Sequence, residues 1–395
     1  MSVCPLKFAL VLAPLLAIVL VTPAAALPPA AAKQQVTFAF TGNGLGEVDP
    51  CGCANKPMGG LARRAQTWQD RQRNRYAALL LDTGATLAPG ADGLPERPGE
   101  GPARAALLME TMGYMGYTAL HVAAVDISIG MDRLRKLGKQ QRVPLLSTNL
   151  LLGGKPAFLP TLVKQAGPLK VGVLGLSPQN PPGAKYLKAA GLTVQDPTTA
   201  ARKAVADLRG QGCTFVVLLS QLSRAEADKL ARQVPGIDLV LGSSAMEMSS
   251  DLAELGPTLF ADAYQKGRTL NEAVVHVRGK APRFVAGDRR GGLQKEQKEV
   301  TAQVAALQRQ LDALRTQPAA KAQAARPALE QQLAAKRAKL QRLTLDLDSA
   351  PPLAADANTV SLEVVGLEVG LPDDPEVASL VTAYHKKFPK LDGGE

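Results

Sequence analysis

The sequence predicts a layered α/β fold followed by an antiparallel helical hairpin, and three observations carry that prediction. Residues 36–277 alternate short β-branched runs with helical stretches, the pattern of buried sheets covered by helices. Residues 289–345 change to a Leu, Ala, Gln, Lys and Arg composition with an apolar seam. The 395 residues are 46% hydrophobic but only 4% aromatic, so the core is large and aliphatic.

The first 26 residues read as a signal peptide. Lys7 gives a weakly positive start, residues 8–21 are apolar, and Thr22-Pro23-Ala24-Ala25-Ala26 offers small residues for cleavage. Pro14 interrupts the apolar run, which is shorter than the roughly 18–20 residues that span a bilayer. Cys4 lies ahead of that run and does not form a lipobox. A mature protein without a transmembrane segment, exported to a bacterial periplasm or secreted, is therefore expected. Cleavage leaves Cys51, Cys53 and Cys213, too few for a disulfide scaffold in that oxidising compartment.

Strands are expected at 36–40, 77–81, 119–122, 143–146, 171–174, 215–219, 239–241 and 258–261. Helices are expected at 60–73, 103–115, 131–137, 198–208 and 224–233, with a Pro/Gly loop over 88–102. This α/β part is expected to span 35–280. Val300, Val304, Leu307, Leu311 and Leu314 then step by 4, 3, 4, 3, a heptad seam. Pro318 breaks the seam and Pro327 restarts a helix, whose Leu329, Leu333, Leu340 and Leu343 give the second stripe of the hairpin over 289–345. Residues 346–395 read as a linker, an extended segment over 359–369 and a short final helix over 374–388. The net charge of +11 reads as a solvated basic surface, and no nucleic-acid partner is expected. The basic hairpin reads as a solvated face or, more sharply, as a docking arm for a partner or an anionic lipid surface.

An ordered series of local matches gives residues 35–280 a resemblance to the metallophosphoesterase domain of the 5′-nucleotidase and UDP-sugar hydrolase family. The matches are FAFTGNGLGEVDP, GGLARRA, LLLDTGATL, MGYTALHVAAVDISIG, PLLSTNL, KVGVLGLS, VVLLSQLS and VPGIDLVLGSSA. The resemblance implies two metal ions bridged by an Asp and held by further Asp, Asn and His side chains, which activate water against a phosphoryl group. At the matching positions this chain carries Asn43 for Asp, Leu45 for His and Ala85 for the bridging Asp. Ala124, Val125 and Asp126 replace Asn-His-Glu, Gln221 replaces a His, and Ser243 and Ala245 replace two more. His121, His276 and His385, the three histidines of the chain, stand at none of these places. Asp82 reads as an anchor for loop backbone and Asn149 as a local hydrogen-bonding residue. Loss of the standard ligand set is thus expected, and with it loss of two-metal phosphatase activity.

The motif DPCGCANKPMGGLARRA more narrowly resembles the UshA-like selenoprotein group, which carries Cys-Gly-Cys or selenocysteine-Gly-selenocysteine between a proline and Gly-Gly-Leu. That group is often linked to multihaem cytochromes, and LPDDPEVASLVTAYHKKF resembles its lead into a haem domain. No Cys-x-x-Cys-His occurs, so no haem of that type is expected here. The resemblance places Cys51 and Cys53 just beyond the first strand, at the carboxyl end of the sheet where such folds bind ligands. The following helix start at Gly60, with Arg63 and Arg64, would favour thiolate, and Gly59 and Gly60 could hold an anion. Three readings of the pair stay open: a redox couple, a soft-metal site for Cu(I) or Zn, and a structural loop disulfide. Cys213 reads as a buried, inert thiol. The expected function is an exported, degenerate phosphoesterase-like protein with thiol redox chemistry at Cys51 and Cys53. Its expected partner is a periplasmic redox protein or multihaem cytochrome. The alternatives are a phosphoester hydrolase with a non-standard metal set and a non-enzymatic scaffold.

Overall fold

The computed structural model describes residues 34–51, 57–89, 97–245, 252–279, 283–287, 289–314, 319–349 and 353–389. The signal-peptide reading and Cys53 lie outside the described residues.

The chain enters through β1 (Gln35–Thr41) and a short ribbon of β2 (Pro50–Cys51) and β3 (Met58–Gly59), followed by α1 (Leu61–Gln72). Next come β4 (Ala78–Asp82), α2 (Glu100–Met115), β5 (Ala119–His121), a 3-10 turn (Ala124–Ile129) and α3 (Met131–Gln140). The middle of the chain supplies β6 (Leu145–Leu146), β7 (Leu150–Leu152), β8 (Lys155–Pro156), β9 (Thr161–Ala166) and β10 (Leu169–Leu176). It continues with α4 (Ala184–Ala189), β11 (Leu192–Val194), α5 (Pro197–Gly210), β12 (Phe215–Ser220), α6 (Arg224–Gln233) and β13 (Leu239–Ala245). The remainder comprises β14 (Ala253–Leu255), β15 (Thr258–Tyr264), β16 (Thr269–His276), β17 (Phe284–Ala286), α7 (Arg289–Ala313), α8 (Ala319–Ser349), β18 (Asn358–Gly366) and α9 (Pro375–Lys387).

Two sheets face each other between outer helices. The first has seven strands in the order β17-β18-β16-β1-β4-β5-β6, the second six in the order β14-β15-β13-β12-β10-β9. Strand alternation explains the layering, since successive side chains point to opposite faces. Val36, Phe38 and Phe40 of β1 point into the space between the sheets, where they meet Val171, Val173 and Phe215. Ala39 points the other way, into the core under the helices of the first sheet. Leu208, Val216, Leu218 and Leu230 form the corresponding core outside the second sheet. Phe215 centres the middle layer, stacked on Phe38 at 5.2 Å and met edge-on by Phe284 at 4.7 Å.

The α/β body continues past the boundary at 280. Strand β18 pairs antiparallel with the whole of β16, from Thr269 opposite Gly366 to His276 opposite Thr359. Helix α9 lies against α1 and α2, capped by Asp374, whose Oδ1 accepts from the Val377 N–H at 2.9 Å. Residues 346–395 are therefore more than a linker with a loose tail: an extended stretch seen only as 359–369 is an inner strand of the first sheet. The hairpin is a long insertion between β17 and β18. Val300, Leu333, Leu343 and Leu347 bury between its helices, and Lys339 Nζ reaches Glu296 Oε1 at 2.6 Å. Its second helix starts at Ala319, with Pro327 inside it, rather than at Pro327. No described helix is long and apolar enough to cross a membrane.

Candidate functional site

The carboxyl ends of β1, β4 and β5 and of β10, β12 and β13 converge on one cleft of about 410 Å³. Its lining includes Asn43, Ala85, Ala124, Val125, Gln221 and Ser243, six positions at which the sequence resemblance expects metal ligands. Leu45 joins them, while Ala245 closes β13 and pairs in register with Tyr264. Residues up to 200 positions apart in sequence are thus brought together, because each lies at or just beyond the carboxyl end of a strand that reaches the same rim.

Among the described residues they differ from the ligand set that the resemblance implies. Leu45, Ala85, Ala123 and Val125 pack as a small apolar cluster of their own and carry no donor atoms for a cation. The amide nitrogen of Gln221 donates to Thr83 O and to Ser243 Oγ, each at 2.8 Å. That of Asn43 donates to Ser243 O.

The two nearby carboxylates are spent on loop backbone and threonine hydroxyls. Asp82 Oδ1 accepts from Gly84 N and Thr86 Oγ1 at 2.8 Å, and Oδ2 from Thr41 Oγ1 at 2.6 Å. Asp126 accepts from the N–H groups of Ala85, Thr86, Leu87 and Ala123 at 2.9–3.0 Å. Both are fully buried. Burial raises the pKa of each above the usual carboxylate value, Asp126 to about 6, against the pull of these hydrogen bonds. Among the described residues, no three His, Cys, Asp or Glu side chains gather where they could hold a metal.

His121 also follows from packing. It is wholly buried, with Nδ1 3.1 Å from Leu146 O and Nε2 3.4 Å from Ser177 Oγ. A neutral ring suits both contacts: Nδ1–H donates to the carbonyl and Nε2 accepts from the hydroxyl. Burial pushes its pKa down to about 4. Below pH 6.5 the unfolded chain takes up a proton that the folded chain refuses until about pH 4. His121 therefore withdraws stability as pH falls through that window, about 2–3 kcal/mol by pH 4.5. Asp126 runs the other way, its contribution being lost as pH rises through about 6. Comparing urea unfolding of wild type and His121→Gln at pH 7 and 4.5 isolates the histidine. The variant is expected to lose less stability on acidification, and equal losses would refute the assignment. Asn149 is likewise structural: its amide nitrogen donates to Ser177 O at 2.7 Å and its Oδ1 accepts from Ser177 N at 3.0 Å.

The Cys51 thiol lies on the β2–β3 ribbon ahead of α1, outside the lining of this cleft. It is half-buried and free. Two cations address its sulfur: Arg268 Nη2 donates at 3.6 Å and Lys266 Nζ at 3.7 Å. Both come from the turn between β15 and β16. Lys266 is left-handed, with φ 64°, and its N–H donates to Asn43 O at 2.7 Å. That bond ties the turn to the cleft's own loop. Burial works against the Arg268 charge, but its hydrogen bonds to Cys51 and Tyr264 prevail and raise its pKa further. Lys266 also lies 3.5 Å from Glu47 Oε1.

The cations expected from the sequence do something else. Arg63 donates to Gly59 O at 3.0 Å and Leu367 O at 3.1 Å. Arg63 and Arg64 are only 8% and 4% exposed. The Gly59 N–H is taken by Leu367 O at 2.8 Å, and that of Leu61 by Val48 O at 3.0 Å. Gly60 packs so closely on Pro50 that a Cβ there would come within 3.2 Å of its ring. The Gly59 N–H and the Arg63 guanidinium are thus committed to the segment after β18, while Gly60 packs on Pro50 and Arg64 is buried against the turn at Gly267. Cys213 is buried at the amino end of β12, away from the cleft, and burial raises its pKa.

No family model matches the chain. It is 26% identical over 233 residues to a snake venom 5′-nucleotidase from Gloydius brevicauda, covering 55% of this chain and 38% of that protein. Among solved structures it resembles a 5′-nucleotidase precursor from Thermus thermophilus (TM-score 0.59, 18% identity, 90% of this chain and 59% of that one). It also resembles the sulfate thiohydrolase SoxB of Thermus thermophilus (0.60, 15%, 91% and 61%). A third match is the calcineurin-like phosphoesterase YfkN of Bacillus subtilis (0.55, 12%, 89% and 97%). The chain spans about two-fifths of the length of the venom relative and about three-fifths of the two Thermus proteins. It is thus a distant sequence relative of a 5′-nucleotidase and has the fold of the 5′-nucleotidase and calcineurin-like phosphoesterase structures.

Proposed function

We propose that this chain is an exported relative of the phosphoesterases that has exchanged metal-dependent hydrolysis for thiol chemistry at Cys51. One observation carries the reading: Lys266 and Arg268 both aim donors at the Cys51 sulfur, and the Lys266 N–H ties that turn to Asn43 of a cleft whose expected ligand positions carry apolar, amide or hydroxyl side chains. Cationic donors are the partners an ionised sulfur calls for, and the thiolate is the nucleophile of disulfide exchange. The same two charges repel a metal cation, which weighs against a Cu(I) or Zn site at this sulfur.

The step balances as a two-electron exchange. The Cys51 thiolate attacks one sulfur of a partner disulfide, forming a mixed disulfide and releasing one partner thiolate. Cys53 then attacks the Cys51 sulfur, giving the Cys51–Cys53 disulfide and the second partner thiolate. The partner is reduced and this chain oxidised; the reverse sequence oxidises a partner dithiol. A periplasmic disulfide protein, or a protein in contact with a multihaem cytochrome, fits that role.

The test is a redox titration of the exported chain in glutathione buffers, reading Cys51 and Cys53 by differential alkylation and mass spectrometry. Metal content is assayed on the same sample. A reversible transition between roughly −120 and −270 mV is expected, the range of functional dithiols. A pair that stays oxidised far below that range is a structural clip, and a stoichiometric metal locked on both sulfurs also overturns the proposal.

A further inference from the structure

The cleft itself is a second site, and its lining specifies a ligand. We propose that it binds a small uncharged molecule with an apolar body and at least one N–H or O–H donor. This inference does not depend on the thiol reading.

The backbone is the first argument. Asn43, Leu45 and Ala85 all line the cleft and all adopt left-handed φ, at 46°, 51° and 57°. Asn tolerates that region, but Leu and Ala do not favour it, and each such residue costs on the order of 1 kcal/mol. The two loops persist because they are laced together. Asn43 N donates to Gly84 O, Leu45 N to Ala85 O and Gly46 N to Thr86 O, at 2.9–3.0 Å. Asp126 holds the second loop from behind. The strain places the Leu45 side chain, half-exposed, against Ala85, Ala123 and Val125. That cluster is separate from the three large cores. Apolar surface held at a strained, open position is surface kept for an occupant.

Volume and walls agree. About 410 Å³ lies within the range of small-molecule pockets. The far wall is the segment after β10, in which Pro178, Pro181 and Pro182 fix the backbone. Gly183 lets it close on Val125, since a Cβ there would stand 2.8 Å from Val125 Cγ1. A wall stiffened in this way loses little entropy when a ligand enters.

Polarity sets the chemical class. The amides of Gln221 and Asn43 are oriented by the carbonyls that accept from them, Thr83 O and Ser243 O. Their oxygens, Oε1 and Oδ1, are left with no protein donor among the described residues, and both side chains line the cleft. Two open acceptors over an apolar floor ask for a ligand that donates. Glu226 is the one charged residue among the described lining, so nothing there neutralises a phosphate or other anion.

The probe is N-phenyl-1-naphthylamine, which is neutral, aromatic, carries one N–H and brightens in apolar surroundings. Titrated into the full chain, it is expected to bind saturably at one site in the micromolar range. Leu45→Asn should weaken binding tenfold or more, because Asn keeps the left-handed backbone while removing the apolar wall. Circular dichroism verifies that the variant is folded. The ether analogue 1-phenoxynaphthalene, lacking the N–H, should compete about tenfold more weakly than the amine. Absence of saturable binding, unchanged affinity in Leu45→Asn, or displacement of the probe by millimolar inorganic phosphate would each overturn the proposal.

Discussion

Glu272→Gln is expected to weaken the fold by about 3 kcal/mol, read as a lower urea midpoint at unchanged slope. Glu272 lies on β16 with a side chain that is 0% exposed. Arg71 of α1 grips it with both prongs, Nε to Oε1 at 2.8 Å and Nη2 to Oε2 at 2.7 Å. Arg75 Nη2 adds a third contact to Oε2 at 2.5 Å. Burial alone would raise the Glu272 pKa, but the hydrogen bonds and charges of Arg71 and Arg75 outweigh it and hold the pKa below the usual value. Removing the carboxylate leaves two half-buried guanidinium groups facing a neutral amide, the costly way to break such a pair. The loss stays at the lower end of the usual range because Glu363 on β18 still contacts both arginines. The network joins α1, β16 and β18, so it also fastens the strand that follows the helical hairpin. An Arg71→Met, Glu272→Met cycle should be strongly non-additive. Additive losses would mean that the groups act separately and would remove this account of how β18 is held.

Legibility followed the range of the interactions. The β-branched and aliphatic runs at 36–40, 171–174 and 215–219 mark inner strands because burial on both faces leaves an apolar run in the sequence. The cleft was legible too: the positions read as replaced ligands at Asn43, Ala85, Ala124, Val125, Gln221 and Ser243 line one cavity. Strand β18 was harder to place. Ser361, Leu362 and Glu363 mix polar and apolar residues, and its partner β16 precedes the hairpin by sequence. Nothing local says that the sheet resumes after such an insertion. The roles of the arginines escaped for a related reason. Charge near Cys51 in sequence is buried: Arg63 bonds the carbonyl of Leu367 after β18, and Arg64 packs at the Gly267 turn. The charge near Cys51 in space comes from Lys266 and Arg268, more than 200 residues later. The element that the QKGR turn faces is decided by the pairing of β1 with β16.

That distant turn gives the thiol reading its sharpest test. Cys51→Ser is expected to abolish exchange with a small aromatic disulfide, while Lys266→Met and Arg268→Met each slow it about tenfold and the pair multiply. The attacking species is the thiolate, and each cation contributes a charge-assisted contact at 3.6–3.7 Å. Tenfold corresponds to about 1.4 kcal/mol, a reasonable share for a half-buried charge next to sulfur. Stopped-flow absorbance of the released aromatic thiolate at about pH 8 reads the rate, and circular dichroism verifies that each variant is folded. Slowing in folded variants supports direct contact of the two cations with the reacting sulfur. Lys266 needs one further control, because its side chain also contacts Glu47. Lys266→Arg keeps a charge at that place and should restore the rate. Wild-type rates in both Met variants would leave Cys51 an ordinary surface thiol, with the two cations serving only the packing of the turn.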